Sequence, residues 1–421
     1  MLFLYNLIII LAAQVVKIVA LFSPKIQLFV KGRKNVFAIL SSQIKAGDKT
    51  IWFHAASLGE FEQGLPVMEQ LKTLKPEHKI VVTFFSPSGY EVRKNNTVAD
   101  VTVYLPLDTK KNVAEFLKLV HPEMAFFIKY EFWPNYLHQL KKQDVPTYLV
   151  SGIFRENQIF FKWYGGFYRK ALATFSQFFV QNEYSKVLLQ QIGFQNVQVN
   201  GDTRFDRVSK ILERDNKLDF VEAFKNNTLT VVVGSSWPKD ENYLIDFINI
   251  NNFNVKFIIA PHNIKSEQIE QLRRAITKKT ILFSEVSGNA DHDALKNADV
   301  FIINTIGILT KIYSYADIAY VGGGFGTSGL HNILEPATFA IPVVIGPNFK
   351  KFSEAVALVG MGGCISVKTK TELEETFSLL IQNEDERYEK GHICSTFVQM
   401  NKNATQIILK HIIDTPNPGN Q

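Results

Sequence analysis

The chain opens on an almost unbroken apolar stretch, MLFLYNLIIILAAQVVKIVALF, and then settles into an alternation of two hydrophobic patterns. Short continuous apolar runs, many of them β-branched, are separated by longer stretches in which apolar positions return every third or fourth residue. This is the pattern of buried parallel strands joined by helices. Two series of strands are predicted. Residues 51–54, 80–84, 101–104, 125–128, 147–150 and 178–180 make the first, and 229–233, 256–259, 300–303, 318–321 and 343–345 the second. Between them, ILERDNKLDFVEAFKNN is charged and lacks strand character, which places a boundary near residue 212. The pattern predicts two doubly wound α/β domains, 36–212 and 213–421, behind an apolar and basic segment 1–35. A final helical stretch, 396–413, is a candidate for crossing back to the first domain.

The opening stretch is apolar enough for a membrane helix, but Asn6, Gln14 and Lys17 interrupt it. At a helical period these three fall within an arc of roughly 80°, so the helix can lie in a membrane interface with that stripe toward water or protein. A single span and a buried core helix are the alternatives. A cleaved signal fits less well, because no basic residue precedes the apolar run and no small-x-small site follows it. Lys25, Lys31, Arg33 and Lys34 come next, a cluster suited to anionic lipid and to a cytoplasmic catalytic body.

Composition narrows the class. Of the 421 residues 46% are hydrophobic and 20% charged, which excludes disorder and allows two large cores. A net charge of +6 suits an acidic substrate or an anionic membrane surface, while nucleic acid calls for denser basic stripes. Cys364 and Cys394 show no metal spacing, so neither a zinc site nor a disulfide framework is expected.

Ligands of open α/β sheets bind beyond the carboxyl ends of strands, and candidate chemistry is found there. Residues 322–347, GGGFGTSGLHNILEPATFAIPVVIGP, leave a strand through a glycine-rich turn and are expected to enter a helix carrying Glu335. Backbone N–H groups and the helix dipole there favour a phosphate, and Glu335 can accept from ribose hydroxyls, as in a nucleotide-sugar pocket. Gly324, Gly326 and Gly329 also match the spacing of a dinucleotide fingerprint. That reading fits poorly, since the motif sits late in the chain and 345–352 supply no acidic partner. Glu60 stands at a strand-to-helix entry in IWFHAASLGEF, where it can cap the helix or act as a base toward a substrate hydroxyl. Glu131, between aromatics in IKYEFWPN, can orient a sugar or a basic side chain. Arg155 and Arg204, also beyond strands, are candidates for binding a phosphate or carboxylate. The sequence Asp291-His292-Asp293 resembles a metal-binding DxD but lies in a polar loop and is read as a solvated turn. No metal and no cofactor are expected, and no Walker A sequence occurs.

Taken together, HAASLGE (54–60), YEFWPN (130–135), QNEYS (181–185), GDTRFD (201–206) and ADIAYVGGGFGTSGLHNILEPATFAIPVVIGP (316–347) resemble the bacterial 3-deoxy-D-manno-octulosonic acid (Kdo) transferases in order and spacing. The likeness spans nearly the whole chain. It implies a GT-B glycosyltransferase, two Rossmann-like domains facing a central cleft with an N-terminal membrane-associated helix. Its implied reaction is inverting transfer of Kdo from CMP-Kdo to a lipid A precursor at the cytoplasmic face of the inner membrane. By the same resemblance Glu60 is the proton acceptor and Glu131 a positioning residue. Donor contacts are implied at Pro261 and His262, at Ile306, Gly307 and Ile308, and at Asn332, Ile333, Leu334 and Glu335. The chain departs from the family pattern where His262 replaces an arginine and Ile308 a carboxylate. Other readings are a GT-B enzyme using a different nucleotide sugar on a membrane lipid, and a non-catalytic membrane-attached nucleotide-binding protein.

Overall fold

The computed structural model describes residues 1–286, 292–327 and 329–415. Its backbone divides into two compact units, Met1–Arg207 together with the chain from Asn401, and Val208–Met400. Each unit is built on a seven-stranded sheet.

In the first unit, β1 (Lys49–Ala55), β2 (His78–Phe84), β3 (Val101–Tyr104), β4 (Pro122–Ile128), β5 (Thr147–Gly152), β6 (Gln177–Val180) and β7 (Val197–Val199) lie in the order β3-β2-β1-β4-β5-β6-β7. All pairings are parallel. Side chains alternate across the sheet, as the two-residue period of a strand requires. Trp52 packs with Val81, Val103 and Phe127 on one face, while Ile51 and Phe53 pack with Val82 and Phe126 on the other. Covered on both faces, the central strands read as the continuous apolar runs seen in the sequence.

The second unit repeats the scheme. Strands β8 (Leu229–Ser236), β9 (Val255–Pro261), β10 (Thr280–Leu282), β11 (Val300–Ile302), β12 (Ile318–Val321), β13 (Val343–Ile345) and β14 (Cys364–Ser366) lie in the order β10-β11-β9-β8-β12-β13-β14. Chain order therefore reverses between β1 and β4 in the first sheet and between β8 and β12 in the second, and a crevice opens beyond the strand ends at such a reversal. Both thiols, Cys364 and Cys394, are free and buried.

The apolar N-terminal helix, Leu2–Val19, has no buried residue and is long and apolar enough to cross a membrane. Its first turn is tied to the body of the first unit. The Tyr5 hydroxyl donates to Asp108 Oδ2 at 2.7 Å, and Asn135 Nδ2 donates to Asn6 Oδ1 at 2.9 Å. Arg33 follows in the basic segment, but its guanidinium does not face outward. It lies 3.6 Å from the centre of the Phe29 ring and donates to the carbonyls of Phe29, Phe85 and Leu105. Burial brings its pKa down to about 9.

The helix expected over 396–413 is two helices, Glu384–Asn401 and Ala404–Asp414, separated at Asn403 with φ 84°. Ile408, Leu409 and Ile412 of the second of these pack into the core of the first unit. Asp206 secures its start by accepting from the backbone N–H groups of Asn403 and Thr405 and from the Thr405 hydroxyl at 2.7 Å. That is a capping carboxylate supplied from a distant part of the chain.

Candidate active site

In the first unit the loops after β1 and β4 meet at the reversal, and they carry the two glutamates. Glu60 lies in the first turn of the helix Leu58–Leu74 and is 5% exposed. Its Oε2 accepts from the N–H of Ala56 at 2.5 Å, the contact expected of a carboxylate at a helix start. Its surroundings go further. Burial, aided by the charge of Glu131, pushes Glu60 up to about 7, against the Ala56 N–H and Lys129, which pull it down. Lys129 itself has φ 71°, a left-handed conformation that a β-strand end does not require of a lysine.

A buried histidine organises the other side of this loop. Trp133 Nε1 donates to His54 Nε2 at 3.0 Å and lies 3.1 Å from Glu131 Oε2. An indole N–H can only donate, so Nε2 of His54 is an acceptor and its proton sits on Nδ1, which Thr83 receives at 2.9 Å through its hydroxyl. With Nε2 as acceptor, the 3.5 Å approach of His54 to Glu131 is no ion pair. His54 instead fixes Trp133, and Trp133 fixes the Glu131 carboxylate.

The two arginines differ. Arg155 is exposed and close enough to Tyr130 to bear on its hydroxyl. Arg204 is tied to Asp202, with its Nε 2.9 Å and its Nη2 2.8 Å from Oδ2. Asp202 in turn accepts from Gln63 at 3.0 Å, and the Thr203 hydroxyl bonds the Gln63 carbonyl. The segment GDTRFD is thus a lock within the first unit, with Asp206 capping the returning helix.

In the second unit the loops after β8, β9 and β12 converge. The glycines approach their own chain before any ligand. A Cβ on Gly322 would lie 2.3 Å from the Ser235 carbonyl oxygen, and one on Gly324 would lie 2.6 Å from the Gly346 nitrogen. The helix expected directly behind them spans only Leu334–Thr338, and the intervening chain is irregular. So short a helix, set back from the glycines, offers no dipole site directly behind them. Glu335 accepts from the Thr310 hydroxyl at 2.8 Å and from Asn332 Nδ2 at 3.2 Å, so Asn332, Ile333, Leu334 and Glu335 form one turn braced by Thr310. Ile306 is 80% exposed and Gly307 has φ 98°, in the turn that leads through Ile308 to the helix Leu309–Ile312. Pro261 closes β9, and the His262 N–H donates to the Ser236 carbonyl at 2.8 Å.

Asp240, fully buried, ties these loops together. It accepts from the Trp237 N–H at 2.9 Å, the Tyr320 hydroxyl at 2.8 Å and the Gly323 N–H at 2.9 Å. Above it Trp237 stacks on His262 with ring centres 4.4 Å apart and donates from Nε1 to His331 Nε2 at 3.0 Å. Among the described residues no group of three or more His, Cys, Asp or Glu gathers as a metal site requires. Asp291 lies outside the described residues, and Asp293 belongs to the short helix His292–Lys296.

The family model described as 3-deoxy-D-manno-octulosonic-acid transferase (kdotransferase) matches residues 31–207. Proteins of that name share the likeness over most of their length. The one from Chlamydophila psittaci is 27% identical over 366 residues, 83% of this chain and 82% of the relative. The one from Aquifex aeolicus is 29% identical over 330 residues, 77% of this chain and 83% of the relative. Over most of its length the chain is thus similar to the Kdo transferases. Solved structures agree on the fold. A UDP-GlcNAc 2-epimerase from Neisseria meningitidis superposes with a TM-score of 0.60 at 16% identity, covering 87% of this chain and all of its own. MurG from Acinetobacter baumannii does so at 0.56 and 13% identity, over 87% and 100%. Two Rossmann-like parallel sheets in one chain are the GT-B fold expected of a Kdo transferase.

Sequence reasoning missed His54, Trp237, Asp240, Thr310 and His331. Each pairing joins segments far apart in the chain, 79 residues for Trp133 with His54 and 94 for Trp237 with His331. The available signal was that each follows or ends a predicted strand.

Proposed function

We propose that Glu60 is the general base of Kdo transfer from CMP-Kdo to a lipid A precursor. Kdo transfer in lipopolysaccharide core biosynthesis is the family's reaction, and the chain is a glycosyltransferase of that class. The observation that carries the residue assignment is Glu60 at the β1/β4 reversal with a pKa near 7, where a carboxylate is both ionised and basic enough to take a hydroxyl proton. In this reading the acceptor's sugar hydroxyl gives its proton to Glu60 while its oxygen bonds to the anomeric carbon of Kdo. The bond from that carbon to the CMP phosphate oxygen breaks, and CMP leaves with the electron pair. One displacement inverts the configuration.

Glu131, fixed by Trp133, positions the acceptor and keeps Glu60 basic. The donor is held in the second unit by the turn 332–335, by Pro261 and His262, and by the backbone of 306–308, with Arg155 of the first unit available for an anionic group of the acceptor. The N-terminal helix and the lysines behind it hold the enzyme on anionic lipid at the cytoplasmic face of the inner membrane, where the acceptor resides. Support for this reading comes from the apolar helix itself and from Lys25, Lys31 and Lys34 next to it.

Glu60→Gln tests the assignment. The variant is expected to bind CMP as the parent does and to lose Kdo transfer by at least about a thousandfold. Unchanged turnover overturns the base assignment, and turnover with UDP-sugars in place of CMP-Kdo overturns the donor.

A further inference from the structure

The ring cluster at the β8/β12 reversal contains a histidine whose protonation pattern is dictated by its neighbour. His331 Nε2 receives the Trp237 indole N–H at 3.0 Å. The indole has no lone pair to offer, so Nε2 carries no proton and the ring proton is confined to Nδ1. Burial, together with the nearby ring of His262, brings His331 down to about 4, while Asp240 pulls the other way. His262, whose ring centre is 4.6 Å from that of His331, is itself lowered by burial, so neither ring adds a full positive charge near neutrality.

A second tryptophan–histidine pair shows what is unusual here. In the first unit His54 also accepts an indole N–H on Nε2, but its Nδ1 proton is consumed by Thr83 within the core. His331 is only partly buried, and among the described residues no acceptor takes its Nδ1 proton. Its Cδ2 edge lies 3.3 Å from where a Cβ of Gly323 would stand, so the opposite, Nδ1-bearing edge faces away from the glycine turn. The residue immediately precedes the turn 332–335, whose own polar groups are largely occupied with one another.

We propose that His331 is a donor-site residue that offers a single uncharged Nδ1–H hydrogen bond to the nucleotide sugar's anionic part, with Trp237 as the positioning residue that fixes its tautomer. The inference rests on the reading that the second unit holds CMP-Kdo. It gives the site a directional hydrogen bond where the family pattern has a charged arginine at the position of His262. A neutral donor recognises a phosphate or carboxylate without the salt dependence of a cation, and it releases the departing CMP more readily than a fixed charge.

The test separates the two nitrogens. An asparagine amide N–H reaches the place of Nδ1, whereas a glutamine amide reaches the place of Nε2. With the full-length enzyme, CMP-Kdo and the lipid acceptor, His331→Phe and His331→Gln are expected to raise KM for CMP-Kdo by about tenfold or more with kcat changed less than about threefold. His331→Asn is expected to stay within about threefold of the parent in KM, and Trp237→Phe to raise KM by an intermediate factor. The Kd of CMP itself, measured by calorimetry on the same variants, reports whether the hydrogen bond serves the nucleotide phosphate or the Kdo carboxylate. Nitrogen-15 NMR of the parent is expected to show His331 as the Nδ1–H tautomer, lost in Trp237→Phe. Glutamine outperforming asparagine, or an Nε2–H signal in the parent, overturns the proposal. Absence of CMP-Kdo turnover in the parent overturns the donor reading instead, and the tautomer measurement stands apart from that outcome.

Discussion

Glu60 is useful as a base only when ionised, and its pKa near 7 sets where that happens. Folding raises this carboxyl above its ordinary range, so the protonated form persists to neutrality and ionisation is complete only above it. The kcat/KM for CMP-Kdo transfer is therefore expected to fall as pH drops through about 7, with a slope of one proton, since this parameter reports the free enzyme. Glu131→Gln removes the like charge that helps hold Glu60 up, and its acid limb is expected at lower pH than the parent's. A pH–rate profile of both proteins checks this, and an unmoved limb refutes the coupling. At this scale the sequence revealed single residues well and partnerships poorly. Glu60 and Glu131 were legible as carboxylates just past strands. Trp133, which works through His54, is legible only as one of the aromatics beside Glu131, because a hydrogen bond across 79 residues leaves no local pattern.

The three strands absent from the sequence reading are β7, β10 and β14, and all three are edge strands of three residues. Each has only one buried residue, so none produces the continuous apolar run that marks a central strand. The break at Asn403 was hidden for a related reason. Apolar positions continue on both sides of it, and the helix Ala404–Asp414 exists as a separate element because Asp206 satisfies its exposed N–H groups. Asp206→Ala is expected to lower stability by about 1–2 kcal/mol, read as a lower melting temperature, with the GDTRFD segment otherwise intact. An unchanged melting temperature shows that the cap contributes nothing. The glycine-rich turn teaches the converse lesson. Its composition was plain in the sequence, but what its glycines avoid is backbone at Ser235 and Gly346, which only the folded chain brings near.

For the molecule as a whole, the N-terminal helix is attached to the first unit through few polar contacts and the Tyr5–Phe167 ring contact, with Ile9, Ala13 and Val16 half-buried and most of its other apolar side chains exposed. Removing residues 1–22 leaves Asp108 with its bonds from the N–H groups of Asn135 and Tyr136, at 3.0 Å each, so the body is expected to keep its fold. The full chain is expected to float with vesicles containing phosphatidylglycerol, and the truncated one to remain in the soluble fraction. Flotation of the truncated chain places membrane attachment elsewhere. The two series of strands were legible as two units because each is a complete alternation of strand and helix. The return of the chain at Asn401 was visible only as a possibility, since amphipathic periodicity says which face of a helix is apolar and nothing about which sheet it covers.

That return imposes an order on biosynthesis. Val208–Met400 is contiguous and can complete its sheet while still attached to the ribosome, but the first unit waits for Ile408, Leu409 and Ile412. Until they are translated, the sheet face that Phe61, Val67 and Met68 already cover stays open where these three side chains will pack, while the apolar N-terminal helix has already emerged. Closing that face is thus the last step of folding, taken after both the N-terminal helix and the second unit have been made.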